Sequence, residues 1–168
     1  MSNRRIFVDM DGVLAVFHPE KSLEEIAIPG YFRNLEPQLP VVSAINRIVR
    51  RGLEVEVYIL SSVLNDEAAE EKAQWLLQYM PDIDREHMLF VPYGVDKSAY
   101  VREATKEVST DDILLDDFTF NLRSWHGVGV KLLNNINNTK RSWKGFVVNG
   151  NGDMDTIYAS LIGINYAA

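Results

Sequence analysis

The sequence predicts an α/β protein built on a central parallel sheet of about five strands. Three observations carry that expectation. Short apolar runs of three to six residues alternate with segments whose apolar residues recur at helical spacing. The runs are short and mostly Ile, Val and Leu, as the strands of a parallel sheet are. Polar residues gather just past the ends of several runs rather than inside them.

Taken in order, Ile6–Val8 is a first strand that stops at Asp9. Val41, Val42, Ile45, Ile48 and Val49 mark a helix that Gly52 closes. Val55–Leu60 is a second strand ending at Ser61 and Ser62. Ala69, Ala73, Leu76, Leu77 and Met80 line one face of a helix that starts near Asp66 and that Pro81 stops. Met88–Val91 is a third strand, and Asp96 is placed to cap a helix carrying Tyr100, Val101 and Ala104. Ile113–Leu115 is a fourth strand ending at Asp116-Asp117, and Val128–Leu133 is a fifth. A last helix carries Met154, Ile157, Tyr158, Leu161 and Ile162 behind a cap at Asp153. Residues 15–40 hold four of the six prolines together with Phe17, Tyr31 and Phe32, and read as an irregular insertion over one edge of the sheet. Residues 134–152, rich in Asn and Gly, read as a loop.

Length and composition bound the function. A chain of 168 residues is one domain by size. Its net charge of −7 argues against a nucleic-acid polymer as partner, because phosphate backbones require a basic face. The absence of cysteine excludes disulfides, thiol nucleophiles and cysteine-based zinc sites. No apolar stretch reaches membrane-spanning length, and the apolar run after Arg4-Arg5 is three residues long, too short for a secretion signal. A cytoplasmic protein is the simplest expectation. His18, His87 and His126 are too scattered for a metal site and are read as non-catalytic.

The strand ends carry the chemistry. In an open parallel sheet, ligands bind beyond the carboxyl ends of the strands, at the point where strand order reverses. Asp9 and Asp11 follow strand one, Ser61 and Ser62 follow strand two, and Asp116 and Asp117 follow strand four. Four carboxylates on one rim repel one another, and a divalent cation relieves that repulsion. Oxygen ligands select Mg²⁺. The pair Asp111-Asp112 precedes its strand, so it falls at the opposite edge and reads as a solvated turn.

Phe-Val-Asp9-Met-Asp11-Gly-Val-Leu resembles the first motif of the haloacid dehalogenase (HAD) superfamily of phosphohydrolases. Ser61 resembles its second motif, and Leu-Leu-Asp116-Asp117 its fourth. The stretch from Asp9 to Phe17 resembles the 5'(3')-deoxyribonucleotidases, of cytosolic and mitochondrial type, and their bacterial and phage relatives. So do Pro29-Gly-Tyr-Phe-Arg-Asn-Leu-Glu-Pro37, the Glu71–Trp75 segment, Asp96-Lys97 and residues 137–145. The resemblance implies a three-layer HAD-like Rossmannoid fold over residues 1–168, with 15–40 as a small cap. It also implies Mg²⁺-dependent hydrolysis of a small phosphorylated substrate, a nucleoside monophosphate. The alternatives are a phosphatase of another small metabolite and a non-catalytic phospho-ligand binding module.

Under this reading Asp9 is the nucleophile and Asp11 the general acid and base. The resemblance gives the metal to the Asp9 carboxylate, the Asp11 carbonyl and one acid of Asp116-Asp117, with Asp117 favoured. Ser61 and Ser62 bind phosphate, near a helix start. Lys97 is the expected phosphate lysine. Lys72 is the rival, but it lies roughly 9 Å along its helix, which should keep it away from the rim. Phe17 and Phe32, with Tyr31 beside them, read either as substrate-binding aromatics or as the small core of the insertion, and Arg33 reads either as a contact to phosphate or base or as a solvated charge. An insertion of 26 residues is shorter than the helical cap of the mammalian enzymes of this group.

Overall fold

The computed structural model describes residues 4–52 and 55–167, with residues 165–167 described as helical backbone only. Residues 1–3, the first part of the start read as too short for a secretion signal, lie outside that range. Six parallel strands form one sheet: β1 (Arg4–Val8), β2 (Val55–Val63), β3 (Met88–Pro92), β4 (Ile113–Asp116), β5 (Val128–Leu133) and β6 (Phe146–Asn149). Their order is β3-β2-β1-β4-β5-β6. The helices are α1 (Leu23–Ile26), α2 (Leu39–Arg50), α3 (Asp66–Tyr79), α4 (Lys97–Thr105), α5 (Thr119–Ser124) and α6 (Met154–Ala167).

Alternation along each strand builds two cores. Ile6, Val8, Ile59, Ile113, Leu115, Val130, Leu132 and Val148 face α2, α3 and α6. Phe7, Leu60, Leu114 and Val91 face α4 and α5, where Leu122 and Trp125 close the layer. The result is the expected three-layer arrangement. The strand count is six rather than about five, because 146–149 pairs with β5 through Val130↔Phe146 to Leu133↔Asn149. Lys144 and Gly145 ahead of it, and Asn149 and Gly150 at its end, hid this short edge strand inside a loop-like composition.

The caps follow the sequence. Asn65 accepts from the Ala68 N–H at 2.8 Å, Asp96 from the Ala99 N–H at 2.8 Å, and Asp153 from the Thr156 N–H at 2.9 Å. In the insertion, Ser22 and Glu25 form a reciprocal capping box on the four-residue α1, and a 3₁₀ turn follows at Phe32–Asn34. Four strands run further than expected: β1 starts at Arg4, β2 passes through Ser61 and Ser62 to Val63, β3 includes Pro92, and β4 includes Asp116.

One expectation is overturned. Asp112 is 2% exposed, not solvated. It bonds Arg5 Nε at 3.0 Å and Nη2 at 2.5 Å, and accepts from the Ser109 N–H at 2.8 Å. Arg5 on β1 and Asp112 just ahead of β4 lie on neighbouring strands, so an ion pair between a half-buried Arg5 and a buried Asp112 ties the sheet's far edge together.

Strand order reverses between β1 and β4, which pair through Ile6↔Ile113, Phe7↔Leu114 and Val8↔Leu115. The next residues on these two strands are Asp9 and Asp116.

Candidate active site

The site begins where β1 turns away. The Met10 carbonyl accepts from the N–H groups of Val13, Leu14 and Ala15 at 2.9–3.2 Å, forming a tight loop. Gly12 has φ +77°, a conformation that costs glycine little. A Cβ at Gly12 would stand 2.5 Å from Asp117 Oδ2, so the missing side chain also lets Asp117 approach β1. The Gly12 carbonyl is in turn held by Gln38 Nε2 at 2.8 Å and Asn134 Nδ2 at 2.7 Å.

Asp9, Asp116 and Asp117 are all buried, and each offers a carboxylate oxygen within 4.8 Å of the others. Lys97 is 3% exposed and bridges two of them, at 3.0 Å from Asp9 Oδ1 and 2.7 Å from Asp116 Oδ2. Both Asp116 oxygens are committed: Oδ2 also accepts from Asn121 Nδ2 at 2.9 Å, and Oδ1 from the Phe118 N–H at 2.8 Å. Asp117 Oδ2 accepts from Asn134 Nδ2 at 2.9 Å and Asn137 Nδ2 at 2.7 Å. Asp9 Oδ1 accepts from the Met10 N–H at 2.8 Å. Among the described residues, Asp9 Oδ2 and Asp117 Oδ1 have no partner, and Asp11 Oδ1 is buried without one.

The electrostatics match this crowding. Burial, then the charges of Asp116 and Asp9, push the Asp117 carboxyl up to about 7. Burial also raises Asp116 and Asp11, against the opposing pull of Lys97 on the first and Lys72 on the second. Burial alone would lower Lys97, but the Asp116 and Asp9 carboxylates outweigh it and hold the ammonium charged. Two buried acids with open, hard oxygen donors, Asp9 and Asp117, beside a third acid and a single bridging ammonium fit a small divalent cation.

A cavity of about 390 Å³ opens onto this cluster. Its walls include Asp9, Asp11, Phe17, Ser62, Lys97 and Asp117, all expected from the sequence, with Phe118, Asn121, Ile136 and Asn137 added. Ser61 is fully buried and off the wall; its Oγ accepts from Lys72 Nζ at 3.0 Å. Phe32 is also off the wall, 5% exposed beneath Lys72.

Lys72 is not remote from the rim. It is fully buried and donates to Asp11 Oδ2 at 2.5 Å and to the Ser62 carbonyl at 2.8 Å. Axial distance misled because helical Cα–Cβ bonds lean toward the N-terminus, and the long lysine stem carries the ammonium back to the strand ends. Its three donors are all engaged inside the protein. Lys97 has two engaged and lies on the cavity wall.

Residues 137–145 carried part of the resemblance, but the roles of Asn134 and Asn137 went unread because both sit in an Asn-rich stretch. The strand-end rule applied to β5 would have found Asn134, the first residue after Leu133. Asn121, whose amide holds Asp116, carries no comparable signal.

Three solved structures share the fold. The crystal structure of D,D-heptose 1,7-bisphosphate phosphatase from B. bronchiseptica, complexed with magnesium and phosphate, has the same fold. Its TM-score is 0.68 at 10% identity, over 95% of this chain and 98% of that one. The corresponding enzyme from Burkholderia thailandensis gives 0.63 at 11% identity, over 95% and 98%. The HAD domain of effector protein Lem4 from Legionella pneumophila, as an inactive mutant, gives 0.53 at 14% identity, over 97% and 98%. No curated protein matches the sequence. No helix among the described residues is long and apolar enough to cross a membrane. Residues 18–146 match the family of 5' nucleotidase, deoxy (Pyrimidine), cytosolic type C proteins (NT5C), a span that starts just after the Asp9–Asp11 motif. The chain belongs to that family, and is a phosphoric monoester hydrolase of the HAD superfamily.

Proposed function

We propose that the protein is a Mg²⁺-dependent 5'(3')-deoxyribonucleotidase that hydrolyses nucleoside monophosphates through a phosphoryl group carried on Asp9. The observation that carries this reading is the convergence of Asp9, Asp11, Asp117, Ser62 and Lys97 on one cavity. Family membership supports the nucleotide as substrate.

Asp9 is the nucleophile. Its free Oδ2 attacks phosphorus in line with the leaving ester oxygen, while Oδ1 stays fixed by the Met10 N–H and Lys97. Lys97 has a donor to spare for the phosphoryl group, and Ser62 adds a hydroxyl on the same wall. Asp11 donates a proton to the departing alkoxide and then takes one from the water that releases phosphate. Its raised pKa, set first by burial, favours the protonated start that this role requires. A cation would be held by Asp9, the Asp11 carbonyl and Asp117. Asp117 is preferred to Asp116 because Asp116 has both oxygens bonded already. When bound, Mg²⁺ supplies Lewis-acid stabilisation of the phosphoryl charge and shields Asp9 from it.

The nucleoside lies toward Phe17, with residues 15–40 acting as a small cap on a single domain. Phe17 and Ile136 line both the main cavity and a second of about 310 Å³, walled also by Glu20, Gln38, Asn134 and Asn135. Apolar faces with three amides and one carboxylate as hydrogen-bonding groups suit a heterocyclic base. A panel of phosphate esters tests the assignment: deoxyribonucleoside 5'- and 3'-monophosphates, ribonucleotides and sugar phosphates, each with Mg²⁺ and with EDTA. Turnover of nucleotides with Mg²⁺ alone is the expected result. Turnover of sugar phosphates with none of nucleotides would replace the substrate, and turnover in EDTA would remove the metal.

A further inference from the structure

Glu71 and Phe32 take no part in the chemistry just described, yet both are buried beside it. Glu71 is 8% exposed. One carboxylate oxygen accepts from the Gly30 N–H, and the other from Phe32 N–H at 3.1 Å and Arg33 N–H at 3.4 Å. A single side chain on α3 therefore satisfies three main-chain donors of the insertion, where Gly30 turns the chain with φ +93°. That turn delivers the Phe32 ring to 4.5 Å from Lys72 Nζ, and Tyr31 braces the ring edge-on at 5.0 Å. Lys72, the residue after Glu71, has its three donors on Asp11, Ser61 Oγ and the Ser62 carbonyl.

We propose that Glu71 and Phe32 are positioning residues for Asp11, acting through Lys72: Glu71 fixes the insertion's turn, and the turn lays the Phe32 ring on Lys72, locking the ammonium against Asp11. The ring face attracts the ammonium and excludes water from its open side. Neighbouring positions 71 and 72 thus split the work, one gripping the cap segment and the other gripping Asp11. The insertion's seating is coupled to the orientation of the general acid. This rests on the reading of Asp11 as that acid.

The test replaces Phe32 with fluorinated phenylalanines of increasing fluorine content. These weaken the ring's negative face with little change of shape. The assay uses a deoxyribonucleoside monophosphate, or glycerol 3-phosphate if nucleotides are not turned over, and melting temperature is recorded throughout. Expected is a stepwise fall of about three- to tenfold in kcat across the series, with KM within about twofold and melting temperature unchanged. In a Glu71→Gln background, one oxygen must serve three N–H donors and the amide NH₂ opposes them. There, kcat starts lower and the fluorine dependence flattens, because the ring is no longer held in place. A flat kcat in the wild-type background, or a fall that only tracks melting temperature, makes Phe32 ordinary packing and overturns the proposal. Asp11→Asn is run on the same substrate. Full activity of that variant would instead overturn the reading of Asp11, a result distinguishable from failure of the ring.

Discussion

Asp117→Asn should make the metal-free protein more stable while removing its metal site. In the metal-free protein, burial and the neighbouring acids hold Asp117 up to about 7, against an ordinary carboxylate value near 4. The folded state then keeps a proton that the unfolded chain has released. Stability from this group is complete below about pH 4 and is lost as pH rises to about 7. A shift of about three units corresponds to a ceiling of about 4 kcal/mol above pH 7. Asparagine keeps an oxygen for the Asn134 and Asn137 amides and carries no charge. Allowing half the ceiling for relaxation leaves about 2 kcal/mol, or about 4–8 °C in Tm for a chain of this size. The assay is thermal unfolding in EDTA at pH 8 and pH 5, then titration with Mg²⁺ by calorimetry. The variant should melt higher at pH 8, differ little at pH 5, and bind no Mg²⁺. Wild-type affinity for Mg²⁺ should weaken as pH falls below about 7, because the cation must displace that proton. A variant that melts lower at pH 8, or still binds Mg²⁺ as wild type does, would refute the reasoning.

Asp11→Asn should slow alkyl phosphate esters by about 10²–10⁴-fold in kcat but p-nitrophenyl phosphate far less, since a good leaving group needs no proton; steady-state kinetics on both substrates checks this. Lys97→Met should raise KM for phosphate esters and lower Tm in EDTA, because Asp9 and Asp116 lose their shared counter-charge. Gly12→Ala should cut activity at least tenfold with the fold retained by circular dichroism, since the new Cβ would collide with Asp117 Oδ2 and the φ of +77° disfavours alanine. Arg5→Met should cost about 3 kcal/mol in urea unfolding by stranding Asp112 in the interior, with kcat unchanged because the pair lies at the far edge of the sheet.

Much of the architecture was legible because it rests on local chemistry. Apolar runs gave five of the strands, and Asp96 and Asp153 announced their helices. The gathering of Asp9 with Asp116 followed from a rule about strand ends, which needs only that β1 and β4 be neighbours. Features that depend on three-dimensional reach were hidden. Lys72 enters the site through the backward lean of a helical side chain, which sequence spacing does not express. Phe32 packs under a lysine instead of facing a ligand, because a carboxylate on another helix fixes its turn. Asp112 looked like a solvated turn residue until Arg5, 107 positions away, supplied its partner. The strand β6 is four residues long at a sheet edge, where few apolar side chains are required to hold it.

The account stands on Asp9 carrying the phosphoryl group. Rapid quenching of turnover, followed by borohydride reduction and peptide mass spectrometry, tests this directly, since reduction converts an aspartyl-phosphate to homoserine. The expected result is homoserine at position 9, dependent on Mg²⁺ and substrate and absent from Asp9→Asn. Reduction at another acid, or an Asp9→Asn protein that still turns over substrate, would contradict it.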